Sequence, residues 1–185
     1  MKKTSVGAIE ISSIARGYQV QDALLKAASV DLLIARTICA GKYLIIFCGG
    51  ISDIEAAMET ALAIGSDAVI DHLTVANVHP AVFPAVSQSV VLAPEEFGAL
   101  GIVETFSAVS ALIAADTAAK AANVTLFRLN LAMAMGGKGV LFMTGSIADV
   151  QAGVDAAVRQ VADRGLLLNA TVIPRPQKEL FSDYL

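Results

Sequence analysis

The residues of this chain that could carry chemistry are few: two cysteines, two histidines, a carboxylate repeated at Glu10 and Glu104, and a lysine repeated at Lys26 and Lys120. Cys39 stands in the turn Thr37-Ile38-Cys39-Ala40-Gly41-Lys42, whereas Cys48 ends the apolar run that begins at Tyr43. In a single chain a lone thiol is ordinarily a small buried hydrophobe, and two are too few for a disulfide framework. His72 and His79 match no compact zinc spacing and have no cysteine pair beside them, so both read as structural. Glu10 and Glu104 occupy matched positions, which argues for a repeated structural bond, because the two groups of an acid–base dyad need different environments. Gly136-Gly137 suits a tight turn, but the GxxxxGK pattern of a phosphate loop is absent, and so is a nucleophile elbow. The residues do not read as an enzyme.

The elements that must position these residues come in two copies. Gly7, Glu10 and Ser13 reappear as Gly101, Glu104 and Ser107. Asp22, Lys26, Ala27, Ala28, Val30 and Leu32 reappear at the same spacing as Asp116, Lys120, Ala121, Ala122, Val124 and Leu126. After two inserted residues, Gly41-Lys42 matches Gly137-Lys138, Gly49 matches Gly145 and Asp53 matches Asp149. A repeat of this length must be recognised before local structure, since missing it misassigns the fold. The boundary falls at Ala93-Pro94, which divides the chain into domains 1–93 and 94–185.

Each copy reads as strand, helix, strand, strand, helix, strand. In the first, strands are expected near residues 5–11, 30–37, 43–48 and 68–76. Val20, Ala23, Leu24, Ala27 and Ala28 fall on one face of the first helix, and Ile54, Ala57, Met58, Ala61 and Leu62 on one face of the second. Lys26 and Lys120 lie outside such stripes, and for each a solvated lysine is the plain reading. Ser52 and Glu55 have the spacing of a capping box. In the second copy Ser146 and Asp149 open the corresponding helix, Val150, Val154, Ala157, Val158 and Val161 form its stripe, and the last strand runs near 166–172. The order β-α-β-β-α-β is the ferredoxin-like pattern, an antiparallel sheet under two helices, so the fold class is α+β, an α/β sandwich in two tandem domains.

Hydrophobic residues are 56% of the chain and charged ones 16%, which excludes a disordered chain and points to subunit contacts that hide apolar surface. No apolar run reaches the roughly 20 residues of a membrane span. A net charge of −4 with scattered basic residues leaves no footprint for nucleic acid. The cytoplasm is the expected compartment, because residues 1–5 lack the apolar stretch of a secretory signal. Asn123-Val124-Thr125 is then a chance glycosylation triplet.

The stretches Gly7-Ala8-Ile9-Glu10-Ile11-Ser12-Ser13-Ile14-Ala15-Arg16-Gly17 and Asp22 to Ala28 resemble the start of a bacterial microcompartment (BMC) shell domain. Gly101 to Thr105 and Asp116 to Ala122 resemble a second start, and Val172-Ile173-Pro174-Arg175-Pro176 resembles the family's ending. The resemblance covers essentially the whole chain and is to the tandem-domain shell proteins, which form trimers that mimic hexamers and tile into a polyhedral shell. It implies a homotrimer located in the microcompartment shell, with other shell proteins at its edges.

The turn at Thr37 to Lys42 is similar to that of tandem shell proteins in which the loop cysteine lies at the threefold pore and three copies hold an iron–sulfur cluster. That likeness implies one cluster per trimer, a [4Fe-4S] cluster on three Cys39 thiolates, and a redox partner. Electron transfer or redox sensing across the shell would be its role. Three thiolates beside an axis repel one another unless a metal or cluster neutralises them. The pore would be lined by Ile38, Cys39, Ala40 and Gly41 from the first copy, and by Met133, Ala134, Met135 and Gly136 from the second. Ala40 stands where the likeness leads one to expect proline. Lys26, Lys120 and Arg175 are implied as contacts at the tile edge, with His79 before Pro80 in the place of an arginine in the first copy. Two other readings stay open: a metabolite-conducting shell pore without a cluster, and a soluble regulatory trimer that binds a small molecule. The regulator should remain a discrete trimer, whereas a shell protein should form sheets.

Overall fold

The computed structural model describes residues 5–181. The chain divides into two units. The first holds the residues up to Val78 together with two short segments from later in the chain, Ser107–Val109 and Ala132–Gly137. The second holds His79–Phe106, Ser110–Leu131 and the residues from Lys138 on.

In the first unit the elements are β1 (Ser5–Ile11), α1 (Ile14–Ala27), β2 (Asp31–Ile38), β3 (Lys42–Gly49), α2 (Ile51–Gly65) and β4 (Val69–Val75). The four strands form an antiparallel sheet in the order β2-β3-β1-β4. Ile9, Ile11, Tyr43, Ile45 and Phe47 meet Val20 and Leu24 of α1 and Ile54, Ala57, Met58 and Ala61 of α2 in one core. Burying each large apolar side chain there contributes about 1.5–3 kcal/mol. Alternate residues of the two central strands, Val6 and Ala8 on β1 and Leu44 and Ile46 on β3, point the other way and are also buried. That double burial accounts for the unbroken apolar run from Tyr43 to Cys48, where a strand wet on one face would alternate.

The second copy repeats the plan with β5 (Ala99–Thr105), α4 (Ala108–Ala121), β6 (Thr125–Leu131), β7 (Gly139–Gly145), α5 (Ile147–Ala162) and β8 (Leu167–Ile173). Its sheet has the order β6-β7-β5-β8. The likeness extends to irregularities. The register shifts at Glu10/Ile11 and Leu32/Ile34 recur at Glu104/Thr105 and Leu126/Arg128. Val150, Val154, Ala157 and Val161 form the buried stripe of α5. A second cluster joins Leu100, Phe127 and Phe181, with the Phe97 and Phe181 rings stacked at 4.4 Å.

Between the two copies the connector includes a short helix, α3 (Val82–Val86), before a 3₁₀ turn at Pro94–Glu96. Two local expectations are corrected. Ser52 caps nothing: α2 begins at Ile51 with Gly50 before it and no side-chain cap, while Ser146, at the matching place in the second copy, accepts the Asp149 N–H. Finally, Leu100 pairs with Ile173 as Val6 pairs with Val75, so the counterpart of Arg175 is Asn77 and not His79. Asn77 has a left-handed φ of 55°. Among the described residues no helix is long and apolar enough to cross a membrane.

Candidate functional site

β2 delivers Cys39 into a 3₁₀ turn of three residues, Cys39–Gly41, before β3 turns back. Reversal in so short a span requires left-handed backbone. Ala40 has φ 64° and ψ 27°, and Gly41 has φ 70°. The loop 132–137 is bent in the same way, with positive φ at Ala132, Ala134, Gly136 and Gly137. Left-handed alanines carry a steric cost of roughly 1–2 kcal/mol each, so surrounding bonds must hold them in place.

Those bonds are visible. The Cys39 N–H donates to the Ala132 carbonyl at 3.0 Å, and the Ala134 N–H donates to Cys39 Sγ at 2.9 Å. Ala132–Gly137 belongs to the first unit, so the cysteine is gripped there at both its backbone and its sulfur. At Gly137, whose φ of 86° favours glycine, an added Cβ would lie a tight 3.1 Å from Lys42 Nζ. The Cys39 thiol is half-buried, whereas Cys48 is buried in β3. Ala40, Gly41, Met133, Ala134 and Gly136 are exposed and Met135 is half-buried. Ile38 is packed away, only 3% exposed.

Directly behind this turn lies a buried ion pair. Lys42 Nζ reaches Glu10 Oε1 at 2.8 Å, and Glu10 Oε2 accepts the Ala108 N–H at 2.9 Å. Ala108 opens α4, so the carboxylate satisfies one of the N–H groups that a helix start leaves unpaired and also faces the positive end of its dipole. Ser107 donates to Asp71 Oδ2 beside it. The matched carboxylate of the second copy, Glu104, takes Lys138 Nζ at 2.9 Å. The duplicated glutamates thus make a duplicated structural bond. Their lysine partners could have been found in the repeat itself, since Lys42 and Lys138 are matched there. The helix start at Ser107-Ala108 could not, because it is 98 residues away from Glu10 in the chain.

Lys26 bonds Asp22 and Lys120 bonds Asp116, both at 2.6 Å, one turn apart along α1 and α4. Asp116 also accepts the His79 N–H at 2.7 Å through its other oxygen. His79 Nδ1 accepts the Ala81 N–H at 3.3 Å. Arg175 is exposed just beyond β8.

Among the described residues no group of three or more His, Cys, Asp or Glu side chains is gathered that could hold a metal ion. A metal or cluster on Cys39 would need thiols from several copies. One half-buried thiol with an N–H donor on its sulfur is compatible with one corner of such a shared site, since hydrogen bonds to ligating sulfurs are among the features that tune iron–sulfur centres. The buried Tyr43 phenol has its pKa raised, chiefly by desolvation and further by Tyr18.

The BMC domain family matches the chain twice, at residues 5–78 and 99–176. The bacterial microcompartment shell protein PduT of Citrobacter freundii is 38% identical over 177 residues, covering 96% of this chain and 95% of that protein. Among solved structures, a microcompartment protein from Desulfitobacterium hafniense DCB superposes with a TM-score of 0.85 at 41% identity, covering 96% of this chain and 97% of its own. A fused permuted hexameric shell protein of the RMM microcompartment superposes with a TM-score of 0.64 at 25% identity, covering 85% and 81%. Two family matches and a curated relative along nearly the full length join two sheets of one topology: the chain belongs to the bacterial microcompartment shell proteins, as a structural component of the shell built from tandem BMC domains.

Proposed function

We propose that three copies of this chain form a pseudohexameric shell tile whose central pore holds an iron–sulfur cluster, one corner on each Cys39. The observation that carries the reading is the grip on that cysteine: two loops with left-handed alanines converge on it, and one donates a backbone N–H to its sulfur. A merely space-filling thiol has no need of such backbone. Three thiolates would leave one iron of a [4Fe-4S] cluster open to water or an external ligand. The cluster would supply one-electron chemistry, and the chain would hold its ligands while Ala40, Gly41, Met133, Ala134, Met135 and Gly136 line the way to it. Electron transfer or redox sensing across the shell follows, with a redox partner on one side. Lys26, Lys120 and Arg175 would meet neighbouring tiles.

The test is iron and acid-labile sulfide per trimer, on protein purified without oxygen and reconstituted beside Cys39→Ser. About four of each in the wild type, lost in the variant while the trimer persists, is the expected result. Iron content unchanged by the substitution overturns the ligand assignment. No specific iron in either sample turns the reading to passage of small molecules through an unmetallated pore.

A further inference from the structure

The two hairpin loops that meet at Cys39 divide the work between the copies. The first copy's turn, Cys39–Gly41, supplies the sulfur. The second copy's loop, 132–138, is longer and carries no cysteine, yet it grips that sulfur: the Ala132 carbonyl accepts the Cys39 N–H, and the Ala134 N–H donates to Sγ. Its backbone alternates in hand, with φ positive at Ala132, Ala134 and Gly136 and not at Met133 or Met135 between them. Alternation of this kind turns successive N–H groups toward one concavity that suits negative charge, as at phosphate and iron–sulfur sites. The charge behind the turn has the same sense. A Cβ on Gly137 would lie close to Lys42 Nζ and 3.5 Å from the Cys39 carbonyl oxygen, so the ammonium stands against this turn. Its partner Glu10 is shared with the Ala108 N–H. No residue from Ala132 to Gly137 has a charged side chain, so the backbone N–H is the group of this loop that answers charge on the sulfur.

We propose that the loop Ala132–Gly137 sets the reduction potential of the iron–sulfur centre on Cys39, with the Ala134 N–H raising it through the hydrogen bond to the ligand sulfur. The inference rests on the cluster reading and names what regulates that site. Reduction adds one electron, taken from a one-electron carrier that is itself oxidised, and leaves more negative charge on the ligand sulfurs. No proton moves. An N–H aimed at the sulfur therefore stabilises the reduced form more than the oxidised one, and the potential rises. Three copies bring three such donors to one centre. Ala134 ligates nothing and acts through Cys39, so it is a positioning residue. The consequence is a centre that accepts electrons from milder reductants than the same three thiolates would without the loop.

The test is a mediated redox titration of the reconstituted full chain, followed by electron paramagnetic resonance. Proline cannot be used to remove the donor, because position 134 has φ 58°. Replacing Ala134 with lactic acid instead exchanges the amide N–H for an ester oxygen and keeps the methyl group. Poised at the wild type's midpoint, the ester variant should be about tenfold more oxidised than reduced, a fall of about 59 mV for a one-electron couple. Ala134→Gly keeps the N–H and tolerates that φ, so it should titrate with the wild type. A loaded ester centre at the wild-type potential overturns the tuning contact alone. Equal shifts in the ester and the glycine variant assign the effect to packing of the loop and overturn the N–H as its cause. In the wild type, exchange into D2O should shift the iron–cysteine stretches in the resonance Raman spectrum. Bands indifferent to deuterium refute the contact even where the ester variant fails to load. A wild type that takes up no cluster overturns the cluster reading and this inference with it.

Discussion

At the residue scale, the turn at Cys39 shows how one dihedral angle constrains a sequence. With φ near 64°, position 40 is closed to proline, whose ring holds φ near −65°. Alanine is therefore an answer to the backbone where the family likeness had suggested proline. Tyr43 permits a pH prediction. Burial in the core and contact with Tyr18 favour its neutral phenol, so its folded-state pKa lies above the unfolded value near 10. The stability this brings is complete below about pH 10 and is lost as pH rises through the folded pKa. Denaturation midpoints should fall over that alkaline window in the wild type and fall less steeply in Tyr43→Phe. Equal slopes in both would show that this phenol does not govern the alkaline limit.

At the scale of elements, the corrected helix start gives a paired prediction. Ser146→Ala removes a hydroxyl that accepts the Asp149 N–H and should cost about 1 kcal/mol in chemical denaturation, whereas Ser52→Ala, inside α2 and capping nothing, should be near neutral. A larger loss at Ser52 would restore the capping box. The strands and helices were legible in the sequence because their apolar spacing is strong and each pattern occurs twice. The short helix Val82–Val86 was not, since Pro84 within it reads as a breaker and five residues carry too little periodicity. The match of Arg175 with Asn77 was hidden by a further difference in length between α5 and β8, which only strand pairing resolves. Of the candidate site, Cys39 stood out by residue type, and the glutamates by their duplication. The backbone grip on the sulfur comes from a loop 95 residues away and leaves no local pattern to read.

At the scale of the whole molecule, Lys26 and Lys120 are proposed to meet neighbouring tiles, whereas the proposed cluster site on Cys39 needs copies joined within one tile. The two kinds of contact should separate. Lys26→Ala removes an exposed lysine whose own ion pair with Asp22 is worth no more than a few tenths of a kcal/mol. It should suppress sheets seen by electron microscopy and leave the trimer intact in ultracentrifugation; loss of the trimer first would refute an edge role. The insertion of Ser107–Val109 and Ala132–Gly137 into the first unit also bears on the order of synthesis. As the chain leaves the ribosome, every strand of the first sheet is available once Val75 has emerged, yet the Glu10 carboxylate must wait for Ala108 and the Cys39 turn for Ala134. The half made first is therefore finished late, and a nascent chain stopped between the copies holds a carboxylate built for burial with no helix to receive it.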